Sequence, residues 1–89
     1  MITNIKGSQA NCGTDAAGAS TFGSATVVRV VNTGTTNRLV TIIDEVGGST
    51  TIGTFTLLGS TVEFVEKKST EAIFAENASV KGCKVAYTN

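Results

Sequence analysis

Proline, histidine and tryptophan are absent from this chain, and cysteine, methionine and tyrosine are scarce, with two, one and one copies in 89 residues. The missing histidine removes the commonest general base and the commonest metal ligand, so most routes to catalysis would need an unusual substitute. Charge of one sign is lacking too. Seven basic residues balance seven acidic ones with no basic stripe, which argues against nucleic acid as a partner. No stretch approaches the roughly 18 apolar residues of a membrane-spanning helix, and the first residues lack the apolar core of a signal peptide. The expectation is a soluble protein made in a cytosol, with no membrane partner. A chain this short buries only roughly 60–65% of its unfolded surface, so oligomerisation or docking would help it.

What the chain does contain is β-branched. Short Val/Thr/Ile runs, each closed by Gly, Ser, Asn or Thr, repeat from Ala25 to the C-terminus, uninterrupted by proline. Such side chains are stiff at χ1 and pack well on a pleated surface, so the runs read as strands. The fold expected is all-β: a small antiparallel sandwich or barrel of six to seven short strands with a flexible N-terminal arm or loop. One domain is expected overall, with residues 1–24 as N-terminal strand and arm and residues 25–89 as the β-sandwich or barrel.

Along the chain, a weak strand opens at residues 2–6, or extends through Gln9. Residues 10–24 (ANCGTDAAGASTFGS) then form a small-residue tract with neither helical nor strand period. A structureless connection of this length is either functional or disordered, or else a surface loop pinned by Phe22. The residue types do not decide between these. Residues 26–31 (TVVRVV) and 38–44 (RLVTIID) read as a hairpin forming the core, with Val28 and Val30 on one face. Residues 51–58 (TIGTFTLL) make a bent strand, because Gly53 inside it marks a bulge or close backbone approach. Residues 61–66 (TVEFVE) are expected to turn Val62 and Phe64 inward. Residues 71–75 make a short strand or helical turn, and 80–87 the last strand. The inward set expected is Val28, Val30, Ile42, Ile43, Phe55 and Phe64.

Candidate chemistry is thin. Asp44 with Glu45, and Glu63, Glu66 and Glu71, are the only carboxylate groupings, and paired carboxylates can do glycosidase-type work when held roughly 5–10 Å apart in a cleft. Here they flank turns or lie on polar strand faces, where solvated surface charge is the better reading. No EF-hand spacing is present, and Gly47 and Gly48 lack the lysine and helix start of a phosphate loop. Asn77-Ala78-Ser79 matches the glycosylation sequon by chance on the cytosolic reading. A bond between Cys12 and Cys83 would contribute about 4 kcal/mol in the chain-entropy model, but only in an oxidising compartment. Two reduced thiols are expected, Cys83 as a small core residue and Cys12 exposed. No catalytic, metal or cofactor-binding residue is therefore assigned, and no small-molecule substrate is expected.

The blocks at 2–7 (ITNIKG), 25–34 (ATVVRVVNTG), 51–57 (TIGTFTL) and 85–89 (VAYTN) resemble small virion proteins of tailed bacteriophages, most of all those of marine cyanobacterial phages. The resemblance is one of compositional style and strand order. It implies a capsid decoration (cement) protein that reinforces the shell by non-covalent binding, is assembled in the host cytoplasm and resides in the virion. Its partners would be the major capsid protein or other virion proteins, with homo-oligomerisation. Docking by β-augmentation is expected through the N-terminal strand and tract, with Ile2, Ile5, Ala10 and Phe22 as partner-binding residues. The alternatives are a tail, neck or fibre component of the same architecture, or a small cytosolic binding protein or inhibitor. An enzyme is the least favoured reading.

Overall fold

The structure is a computed structural model that describes residues 2–88, with side-chain surroundings described for residues 4–86. It contains eight strands: β1 (Ile2–Ile5), β2 (Ala10–Asn11), β3 (Val27–Asn32), β4 (Arg38–Ile43), β5 (Thr51–Leu57), β6 (Val62–Glu66), β7 (Ala72–Ala75) and β8 (Val80–Thr88). One sheet runs β1-β8-β3-β6, with β2 also on β8, and the other runs β5-β4-β7. Every pairing is antiparallel. The chain is therefore all-β, in two sheets that do not close into a barrel.

The core lies between the sheets. Val28, Val30 and Val80 face Val40, Ile42, Leu57, Ile73 and Ala75 across it. Burial in β3 alternates as the β-branched period demands, with Val28, Val30 and Asn32 fully buried and Val27, Arg29 and Val31 half-buried on the other face. In β5 the register slips where Ile42 pairs with Gly53 and Ile43 with Thr51. Ile52 is thus the extra residue of a β-bulge beside the glycine, as the position of Gly53 indicated.

The core hairpin expected from residues 26–31 and 38–44 does not form. β3 pairs with β6 and β8, while β4 pairs with β5 and β7 in the opposite sheet. The connection is an arch between layers, organised by the buried amide of Asn32. Its Nδ2 donates to the carbonyls of Thr36 (2.8 Å) and Leu57 (3.1 Å), and its Oδ1 accepts from the Gly34 amide (3.0 Å). A buried amide with these partners turns the chain out of one sheet and ties it to the other.

The small-residue tract also differs from a flexible arm: it is a strap. β2 pairs with β8, then Gly13 accepts from the Ala75 amide, and Ser20 exchanges backbone hydrogen bonds with Ile73 (3.0 and 2.9 Å). The strap thereby covers the outer edge of β7. Ala16 and Ala19 pack with Ile43, Ala72 and Phe74 as a second small cluster, while Cys12 and Phe22 enter the main core. Small residues let the backbone approach closely enough for these bonds, and the two larger side chains anchor it.

Phe22 is seated by a left-handed turn. Phe22, Gly23 and Ser24 have φ of 53°, 69° and 58°, and the Ala25 amide closes the turn on the Thr21 carbonyl at 3.1 Å. Each non-glycine residue there costs roughly 1–2 kcal/mol. Burial of the Phe22 ring, 8% exposed, offsets it. The ring lies over Gly82, where an added Cβ would sit 2.6 Å from Phe22 Cζ and 3.0 Å from Val28 Cγ1. Gly82 is bare so that the strap can close.

Candidate functional site

The edges and outer faces of the sandwich differ sharply in chemistry. β6 is an edge strand whose register pairs Phe64 with Arg29, Val62 with Val31 and Glu66 with Val27. Since Val28 and Val30 face the core, these partners lie on the outer face. Phe64 is 44% exposed and Val62 38% exposed, a correction to the expected inward pair. Val65, opposite Val28, supplies the contact with the core instead. Alternation alone was ambiguous, because β6 carries an apolar residue on each face; its register with β3 decides. The outer strip therefore presents Phe64, Val62, Val31 and Val27 together with Arg29 and Glu66, and Lys81 of β8 lies opposite Val31 on the same face.

Among the described residues, four of the seven exposed large apolar side chains, Ile52, Leu58, Val62 and Phe64, fall between the start of β5 and the end of β6; the others are Ile5, Leu39 and Val46. Beside β8 on the same outer face, Cys83 and Val85 are buried although they belong to neither core cluster. Cys83 Sγ donates to the Gly7 carbonyl at 3.0 Å, where the chain loops between β1 and β2.

The residues expected to bind a partner are dispersed. Ile5 in β1 is 61% exposed, opposite Val85, and Ala10 in β2 is exposed, opposite Gly82. Phe22 fills the core and is not at the surface. The side chain of Ile2 lies outside the described residues, and its backbone pairs with Thr88. β1 and β2 thus form the border of the first sheet, each paired on one side with β8.

An open groove of about 430 Å³ lies beside the strap, lined by Lys6, Ser8, Ser20, Phe22 and Lys84 among others. Lys84 Nζ donates to the Gly23 carbonyl at 3.2 Å, bracing the left-handed turn. The carboxylates stand apart from it. Glu63, Glu66 and Glu45 are exposed, and Glu71 is buried at the β6–β7 corner, accepting from the Lys68 amide at 2.7 Å. At that corner Lys67 is buried with its Nζ donating to the Ala25 carbonyl (2.6 Å) and to that of Lys68 (3.3 Å). Desolvation lowers its pKa from the usual lysine value, against the opposing pull of Glu71. These bonds pin the corner to the strap and give the lysine a structural role.

Both cysteines are free and buried, Cys12 included, which corrects its expected exposure. Its Sγ donates to the Val80 carbonyl at 3.4 Å, and burial pushes its pKa up to about 11. Such a thiol is inert rather than nucleophilic. Among the described residues, no three His, Cys, Asp or Glu side chains are grouped to hold a metal ion. Among the described residues, no helix is long and apolar enough to cross a membrane. Comparison of the chain with protein-family models, curated proteins and solved structures finds no match.

Proposed function

We propose that this protein is a virion structural protein of the capsid decoration type, which reinforces a shell by binding it and performs no chemistry. The observation that carries the reading is the exposed apolar strip of β3 and β6, with Phe64 and Val62 held on a rigid sheet face. A large aromatic flanked by β-branched side chains and Arg29, bordered by Glu66 and Lys81, has the composition of an apolar interface centre with a charged rim. The resemblance of the sequence to small tailed-phage virion proteins supplies the partner class, the subunits of the shell. Docking runs through this face in place of the N-terminal strand, which is held on β8 as part of the first sheet. Many copies on one lattice turn modest affinity per site into strong reinforcement.

The test is reconstitution on undecorated shells, scored by the temperature at which they rupture. Phe64→Glu, at an exposed position, should leave the fold intact and abolish both binding and protection. Undiminished protection by that variant would reject the docking face. Failure of the parent protein to bind shells, with binding to tails or necks, would transfer the same surface to that part of the virion.

A further inference from the structure

A second surface, independent of the shell-binding reading, is the free edge of β5. The Leu39 amide donates to Glu76 Oε1 and the Leu39 carbonyl accepts from the Glu76 amide, so the backbone polar groups of Leu39 point toward the β7 side. Those of the next residue, Val40, therefore point toward β5, where Val40 is opposite Phe55. Alternation then directs the amides and carbonyls of Thr54 and Thr56 away from β4, along an edge that no other strand of the described residues covers. Both threonines are exposed.

The other edges are guarded. The strap bonds to β7, and β1 and β2 form an interrupted border on β8. β6 carries Glu66 and also Glu63, which sits opposite Val30 on the side facing the other sheet. Inward-pointing and edge charges are devices that discourage strand addition. β5 has none: residues 46–62 contain no charged side chain.

We propose that β5 is the docking edge for a second copy of this chain, the two strands pairing antiparallel about a two-fold axis at Phe55. In that register Thr54 of each copy exchanges both backbone hydrogen bonds with Thr56 of the other, and cross-strand threonine pairs form on the outer face. About that axis only Phe55 meets its own copy while Thr54 meets Thr56, so the Thr54-Phe55-Thr56 segment is matched to itself, and an edge without charge brings no like charges together. A foreign partner could instead be matched by opposite charges, which this edge does not offer. Phe55, half-buried against the core, would meet its copy across the axis and finish its burial there. The three-stranded sheet becomes six-stranded. Strand pairing alone covers less than the roughly 800 Å² per partner of a standard interface, so the dimer is weak, with micromolar dissociation.

Sedimentation equilibrium from about 1 µM to about 1 mM reads this directly. The parent should move from monomer to dimer and no further, with the Thr54 and Thr56 amides gaining exchange protection as concentration rises. Thr54→Lys should weaken association by at least about tenfold without changing the far-UV spectrum. Thr54→Val and Phe64→Glu should leave it intact. A parent that stays monomeric throughout, association that grows beyond the dimer, protection that does not change with concentration, or a dimer broken by Phe64→Glu but not by Thr54→Lys would each overturn the proposal.

Discussion

Phe22 and Phe64 are alike in size and opposite in weight. Phe22 is buried over Gly82 and Val28, whereas Phe64 stands 44% exposed on the outer face. Phe22→Ala should cost about 3–5 kcal/mol, the range for emptying a buried aromatic site, while Phe64→Ala should cost under about 1 kcal/mol. Urea titration of the two variants checks this, and equal losses would reject the facing of β6. Cys12 makes a second case. Its thiol pKa is raised from 9.0 to about 11 by burial, so the folded state holds this proton more tightly than the unfolded chain. The stabilisation is complete below pH 9 and is lost as pH climbs from 9 towards 11. Lys67 runs the other way, because its lowered pKa means that the penalty of burying its charge disappears as pH rises towards 10.5. Cys12→Ala should therefore destabilise least at the alkaline end. Unfolding free energies of parent and variant at pH 8 and 10.5 test the sign.

At the scale of elements, the strap is decisive. Deleting residues 1–24 would strip β1 and β2 from β8, uncover the edge of β7 and empty the sites of Cys12, Ala19 and Phe22. The truncated chain should fail to fold, with loss of the strand signature in far-UV dichroism. A folded, cooperative truncate would show that the strap is dispensable. In the full chain the amides of Ser20 and Ala25, hydrogen-bonded within the structure, should exchange slowly, unlike a mobile arm.

For the whole molecule, chain ends meet in one ladder: Ile2 pairs with Thr88 and Ile5 with Val85. Four of the five links after the strap, β3 to β4, β5 to β6, β6 to β7 and β7 to β8, cross between sheets, so most pairings join residues distant in sequence. Loop-closure entropy must be met before such contacts form, and refolding is expected on the millisecond-to-second scale of small all-β domains. With no proline in the chain, no isomerisation phase of tens of seconds should follow. Stopped-flow refolding after a long unfolding delay gives the test: a slow phase that grows with the delay would contradict it.

Several features were legible from local chemistry. β-branching with period two marked the strands, set Val28 and Val30 inward, and gave Gly53 its bulge, because side-chain stiffness and backbone freedom belong to single residues and their near neighbours. The pairing of those strands was not legible. Residues 26–31 and 38–44 have the composition of hairpin partners, yet the Asn32 amide bonds to Leu57, 25 residues away, and separates them into opposite sheets. The inward face of β6 depended on its register with β3, and the strap on a missing Cβ at Gly82, far along the chain. Composition decided that this protein is made of strands, with a long uncharged stretch at residues 46–62; only the tertiary structure decided that this stretch supplies an edge, since an edge exists only once every other strand has found its neighbours.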